Sequence, residues 1–244
     1  MNRAGLFVAL AIAVIAGGLF AIYPQLDIAI SRLMFEQVDP GFVPGPAMTF
    51  LRAAARLIVA LVAAPAFIAV VLKLVAPKRP MLIPGRAALL MIATLAIGPG
   101  LISNVILKEH WHRPRPVQVT EFGGSAHFIP WWDPRGDCAA NCSFVAGEPS
   151  GAFWTIAAAS YAPLPWRPLA YGAAITFGLA VGLLRMAAGG HFASDVVFAG
   201  VFTFLVIWLA HARLYRRRNR PSDAAIENAI AGIVSPGKKA DGRD

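Results

Sequence analysis

Arg185, His191 and Asp195 stand close together in LLRMAAGGHFASDVV, between two apolar runs of a 244-residue chain. A charge placed in or beside a bilayer span is expensive, so such groups commonly serve a function. His191 and Asp195 are four residues apart, which is one face of a helix. A carboxylate beside an imidazole holds its tautomer and favours its charged form, so the pair suits a nucleophile or base. Arg185 suits an anion clamp. The same residues also suit a polar helix start, with Ser194 or Asp195 as the cap and His191 at an interface. Taken alone they leave both roles open.

A second basic group opens the one long polar stretch, residues 108–149. In KEHWHRPRP, Lys108 ends a helix and Pro114 and Pro116 stop its continuation. Arg113 and Arg115 therefore sit on a stiff, extended piece. Arg grips two oxygens at once and Lys supplies a point charge, so the group fits an anion site. An interfacial Lys/Arg/Trp belt is the alternative. The stretch is rich in Trp, Pro and Gly and holds most of the histidines, which predicts an ordered lid. Cys138 and Cys142, in CAANC, are the only cysteines. A small disulfide, two free thiols, or a metal pair with His127 or Asp133 all remain open.

These residues must be positioned by a membrane bundle. The chain is 57% hydrophobic and 14% charged, with a mean hydropathy of +0.61. Those values point to an integral membrane protein. Runs long enough to span lie near Gly5–Tyr23, Ala53–Val75, Ala87–Leu107, Phe144–Tyr161, Leu169–Met186 and Val196–His211. The fourth is short and flanked by prolines. The prediction is an all-α, polytopic bundle of about six transmembrane helices, with one domain over residues 1–211 and a basic, loosely ordered cytoplasmic tail over 212–244. The first run exceeds a signal-peptide core and more spans follow, so it reads as a retained helix. Between the first two runs, LDIAISRLMFEQ carries Leu26, Ile30, Leu33 and Met34 at helical spacing. It fits either an interfacial helix or one packed on the bundle.

Net charge is +9. With the N-terminus inside, the inner segments carry Arg3, Lys73, Lys78, Arg79, Arg86, Arg167 and the run from Arg213 to Arg220. This bias fits both termini in the cytoplasm. It also places residues 108–149 and the Arg185–Asp195 turn on one outer face. The terminal basic cluster abuts a membrane helix and lacks interleaved aromatics, so it reads as a topology anchor and not as a nucleic-acid surface.

Together these pieces resemble the type 2 phosphatidic acid phosphatase superfamily, membrane relatives of the vanadium haloperoxidases. The family pattern is Lys-x6-Arg-Pro, then Pro-Ser-Gly-His, then Ser-Arg-x5-His-x3-Asp. Lys108 to Arg115–Pro116 matches the first block, and Arg185, His191 and Asp195 match the third, with Leu184 in place of Ser. The resemblance covers a motif-bearing core over residues 85–211. The middle block departs. Ser143-Phe144-Val145-Ala146-Gly147-Glu148-Pro149 sets Glu148 where the family has its histidine. An alternative alignment takes Pro149-Ser150-Gly151 as the motif and puts Ala152 there.

The resemblance implies a metal-independent lipid phosphatase without a cofactor. Lys108, Arg115 and Arg185 would hold the phosphoryl oxygens, helped by the Gly147 amide and, less directly, Ser150. His191 would be the nucleophile, Asp195 would orient it, and Glu148 would be the general acid if burial raised its pKa. His110, His112 and His127 are rival acids. The expected partner is a phosphorylated lipid at the periplasmic face of a bacterial inner membrane. The altered middle block and overall length resemble the lipid A phosphatase branch, with the 1-phosphate the expected group. Undecaprenyl diphosphate and phosphatidylglycerol phosphate are alternatives, as is a non-catalytic lipid-phosphate binder or transporter. Nothing in the sequence fixes the oligomeric state.

Overall fold

The computed structural model describes residues 1–38 and 40–234. The described residues form helices and loops; the only pairing of extended chain is a single bridge between Val119 and Ala126. Five helices are long and apolar enough to cross a bilayer: α1 (Arg3–Ile22), α3 (Pro46–Val75), α4 (Gly85–His110), α7 (Arg167–Ala187) and α8 (Ala193–Tyr215). Between α1 and α3 lies the short helix α2 (Gln25–Leu33). Outward-facing Phe7, Val14, Leu61, Val71, Leu169 and Leu209 are each more than half exposed. An apolar surface on this scale is stable against lipid and not against water.

The fourth predicted span is not a long helix. It is a buried pair, α5 (Gly147–Phe153) and α6 (Thr155–Ala159), joined at Trp154. The Thr155 and Ser160 hydroxyls donate to carbonyls three residues back, at 2.7 Å each. Such back-bonding competes with the helix ladder and tightens its turns. Trp154 is fully buried and donates to Thr94 Oγ1 at 3.0 Å and to the Met91 carbonyl at 3.2 Å. The pair still carries the chain from one end of the bundle to the other. Gly147 begins beside Lys108, and just beyond α6 the Tyr161 hydroxyl meets that of Tyr215 at 2.9 Å.

The same end-to-end bookkeeping places α1. Trp208 Nε1 donates to the Asn2 carbonyl at 3.0 Å, so the start of α1 lies at the Tyr215 end of α8. Within α4 the segment Ala96–Leu107 is π-helical and contains Pro99. Proline lacks an N–H and crowds the preceding turn, which widens the helix. The Asn104 side chain donates to the Pro99 carbonyl at 2.7 Å and satisfies it.

Residues 212–234 correct the expectation of a loose tail. After α8, helix α9 (Asp223–Val234) packs on the bundle through Leu90, Leu214 and Ile226. Asp223 pairs with Arg86 at 2.7 Å, and Glu227 with Lys73 at 3.5 Å. The end of the tail, 235–244, lies outside the described residues.

The long loop is an ordered lid. Trp111 Nε1 donates to the Trp131 carbonyl at 2.7 Å, and Trp131 Nε1 reaches the Gly17 carbonyl at 3.1 Å. Trp131 also lies 4.3 Å from Phe198 between ring centres. Cys138 and Cys142 are joined as a disulfide. Helix α2 is packed on the bundle, with its polar side inward: Asp27 and Ser31 are each 1% exposed.

Candidate active site

One end of the bundle gathers the chemistry. Lys108 lies in the last turn of α4, Glu148 in the first turn of α5, Arg185 in the last turn of α7, and Asp195 in the first turn of α8. His191 lies in the turn between α7 and α8. Helix α3 adds two cations that the motifs do not contain, Arg52 and Arg56.

His191 is 1% exposed. Its Nδ1 lies 2.7 Å from the Ser143 carbonyl. A carbonyl only accepts, so Nδ1 carries the proton and Nε2 keeps a free lone pair. Burial lowers the His191 pKa well below 6.5, and the charges of Arg185, Lys108 and Arg115 lower it further. A neutral imidazole with an unprotonated Nε2 is the form that attacks an electrophile.

The orienting group is not the one the spacing suggested. Asp195 Oδ2 lies 3.9 Å from His191 Nδ1, beyond hydrogen-bond reach. Asp195 instead accepts the Ser143 hydroxyl, the Arg113 guanidinium and, at 2.8 Å, the Phe192 N–H. It thus caps α8 and fixes Ser143, whose carbonyl aims the imidazole. The cap and the site, which the sequence left as alternatives, are the same residue.

Glu148 sits among three guanidinium groups. Its carboxylate takes two bonds from Arg52, at 2.8 and 3.2 Å. Arg56 lies 3.5 Å away and Arg185 Nε 3.7 Å away. Two charge-assisted hydrogen bonds and three neighbouring guanidinium groups favour the charged carboxylate. Glu148 is therefore ionised here and has no proton to give. Ser150 is also displaced from its expected role. It is fully buried, and its hydroxyl lies 2.9 Å from Ser103 Oγ and donates to the Ala146 carbonyl at 3.0 Å. Three residues past Gly147, its hydroxyl faces Ser103 of α4.

Lys108, Arg115 and Arg185 do converge; all three depress the His191 pKa. Arg115 is braced by the Asn141 carbonyl at 2.6 and 3.0 Å and by its side-chain oxygen at 2.7 Å. Arg185 is buried, and its Nε has no hydrogen-bond partner among the described residues. A buried donor left unpaired is costly, and an incoming oxyanion would satisfy it. The fit is close. A methyl at Gly147 would stand 3.1 Å from Lys108 Nζ and collide with the Asn104 amide, while one at Gly190 would collide with the Arg185 guanidinium. A cleft of about 270 Å³ opens onto Lys108, Gly147 and Glu148. Its polar side is Arg52, Arg56, Lys108 and Glu148, and its apolar side is Ala55, Val59, Pro99 and Val181.

Arg113 is the residue the motifs passed over. It is fully buried, and beyond Asp195 it bonds Asp27 and Ser194, each at 2.8 Å. The available signal was the spacing of Asp27 and Ser31, four residues apart in a segment of helical periodicity. Among the described residues no group of three or more His, Cys, Asp or Glu side chains is placed to hold a metal ion.

The chain resembles three curated proteins named lipid A 4'-phosphatase. That of Francisella tularensis subsp. novicida (strain U112) is 44% identical over 138 residues, covering 54% of this chain and 61% of the relative. That of Rhizobium leguminosarum is 37% identical over 143 residues, 58% of this chain and 61% of the relative. That of Rhizobium etli is 36% identical over 135 residues, 55% of this chain and 52% of the relative. The chain thus spans about six-tenths or less of the length of these relatives. No solved structure matches it. The profile of the PAP2 superfamily matches residues 87–220, more than half of the chain and all of its motif residues, and the chain belongs to that superfamily.

Proposed function

We propose that the protein is a membrane lipid phosphatase that removes a phosphate from lipid A through a phosphohistidine on His191. The observation that carries this reading is a neutral, carbonyl-oriented His191 beside the Lys108, Arg115 and Arg185 cations. The cleft that opens onto Lys108 has a charged side and an apolar side, between α3, α4 and α7. A phosphorylated lipid has both characters. The 4'-phosphate replaces the 1-phosphate as the proposed position, because the relatives' names specify it.

In the proposed reaction Lys108, Arg115 and Arg185 hold the phosphoryl oxygens, beside the Gly147 N–H. The His191 Nε2 lone pair forms a bond to phosphorus as the ester P–O bond breaks. The 4' oxygen is not anomeric, so it leaves poorly without a proton. Glu148 is the proposed donor, in a role that begins only with substrate. The arriving dianion competes for Arg185 and sets negative charge beside the carboxylate, and both effects favour its protonated form. Water then attacks phosphorus and gives its proton to Glu148, and the N–P bond breaks to free His191 and inorganic phosphate.

The proposed orientation sets this site toward the periplasm. Arg3, Arg86, Arg167 and the basic residues after α8 belong to the opposite end of the bundle, which fits positive-inside. The test is His191→Ala. The wild type should release phosphate from purified lipid A in detergent and, with ³²P-labelled substrate, form an acid-labile, base-stable protein adduct. The variant should insert normally and show neither. Full activity in the variant would rule out the mechanism, and wild-type binding without release would favour the non-catalytic binder.

A further inference from the structure

We propose that Asp27, on α2 and outside the residues matched by the superfamily, is a positioning residue for the reaction. It holds the catalytic turn in place and supplies the net negative charge behind His191. This rests on the reading of His191 as the nucleophile.

The connection is continuous and buried. Asp27 Oδ1 accepts the Ser194 N–H at 3.0 Å. Its Oδ2 accepts the Ser194 hydroxyl at 2.6 Å and Arg113 Nη2 at 2.8 Å. Arg113 Nη1 donates to Ser194 Oγ at 2.8 Å and also to Asp195. Asp195 accepts the Ser143 hydroxyl, and the Ser143 carbonyl accepts His191 Nδ1 at 2.7 Å. Every one of these side chains is at most 1% exposed. Each contact to the two carboxylates comes from an N–H or O–H, so both act purely as acceptors.

The charge count gives Asp27 its role. Arg113 faces two carboxylates, Asp27 and Asp195, which leaves a formal charge of −1. Without Asp27, Arg113 and Asp195 would cancel. While His191 is neutral that difference matters little. Once Nε2 carries the phosphoryl group, Nδ1 keeps its proton and the ring becomes cationic. The charges of Lys108, Arg115 and Arg185 disfavour that cation. The network on the Nδ1 side offsets them, and in a water-poor interior an uncompensated charge is felt strongly. Asp195 alone cannot do this, because Arg113 already neutralises it.

The experiment is charge removal followed by charge repair. Asp27→Asn should lower kcat by about 30-fold with KM changed less than about twofold, in line with one unit charge lost from a water-poor interior. The double variant D27N/R113Q restores the formal −1 on Asp195. It should recover kcat to within about fivefold of wild type, as coupled sites do. Melting temperature and detergent-soluble yield report folding. A folded Asp27→Asn with wild-type kcat overturns the proposal. So does a folded double variant no better than the single one, because a packing role predicts no repair. If Asp27→Asn does not accumulate, Asp27→Glu and D27N/R113Q are compared with wild type. Activity in both within about tenfold of wild type supports the charge role, and a folded, inactive D27N/R113Q overturns it. Failure to trap any phosphohistidine in the wild type would instead remove the nucleophile assignment beneath it.

Discussion

His191 shows how far a motif reaches. Its spacing to Arg185 and Asp195 was legible because the three lie within eleven residues of one another, although His191 sits in the turn before α8 and not on a helix face. Its tautomer was not, since the Ser143 carbonyl that sets it lies 48 residues away. The same holds for Glu148, whose ion partner Arg52 is 96 residues distant. The placement of Glu148 at the family's acid position could be read from flanking residues, while its charge state could not. Two predictions belong to this scale. As the proposed nucleophile His191 works only when neutral, and its pKa is lowered from 6.5. Glu148 is ionised before substrate binds and must take up a proton to act, so kcat/KM should rise as pH falls through 6.5 and should decline only below it, once substrate ionisation is measured separately. An acid limb centred above that value would contradict the neutral His191. Glu148→Gln should slow lipid A cleavage by about 100-fold or more and an aryl phosphate, with its better leaving group, far less. Equal losses on both would remove Glu148 as the proton donor.

At the scale of elements, α2 was ambiguous in sequence. Its apolar residues recur at helical spacing whether they face lipid or core, and the outcome turned on where Asp27 and Ser31 went. They went inward, because Arg113 and Ser194 offered a partner for the carboxylate. The fourth span misled for a related reason. Phe144–Tyr161 is apolar enough to cross, but its hydroxyls and small residues suit a protein interior and not lipid. The lid, in contrast, was legible from its Trp, Pro and Gly content. Its disulfide closes a loop with a sequence separation of only 4. Chain entropy for so short a ring gives at most about 2 kcal/mol. Hydrogen bonds from Cys142 N to the Lys108 carbonyl at 3.0 Å and from Cys138 N to the His112 carbonyl at 3.2 Å pin the same segment. Replacing both cysteines with serine should therefore lower Tm by about 5 °C and leave kcat within about threefold. A collapse of activity at unchanged Tm would show that the bridge, and not these bonds, sets the position of Lys108.

Over the whole molecule, the ends of the helices sort the charges. Arg115, Arg185 and Lys108 lie at one end, while Arg86, Arg167 and the basic residues following α8 lie at the other. Positive-inside then predicts an outward-facing site. In a background with Cys138 and Cys142 changed to serine, a cysteine at Arg135, whose side chain is 80% exposed, should react with an impermeant maleimide in spheroplasts. One at Arg218 should react only after lysis. The reverse pattern would invert the topology. The buried α5–α6 pass has a mechanical consequence of its own. Changes in bilayer thickness strain helices through their lipid-facing side chains. Glu148 and the Gly147 turn ride on the one pass that is wrapped by the others and nearly free of that contact. The outer ring can tilt to suit its membrane while the catalytic strut inside is insulated from the adjustment.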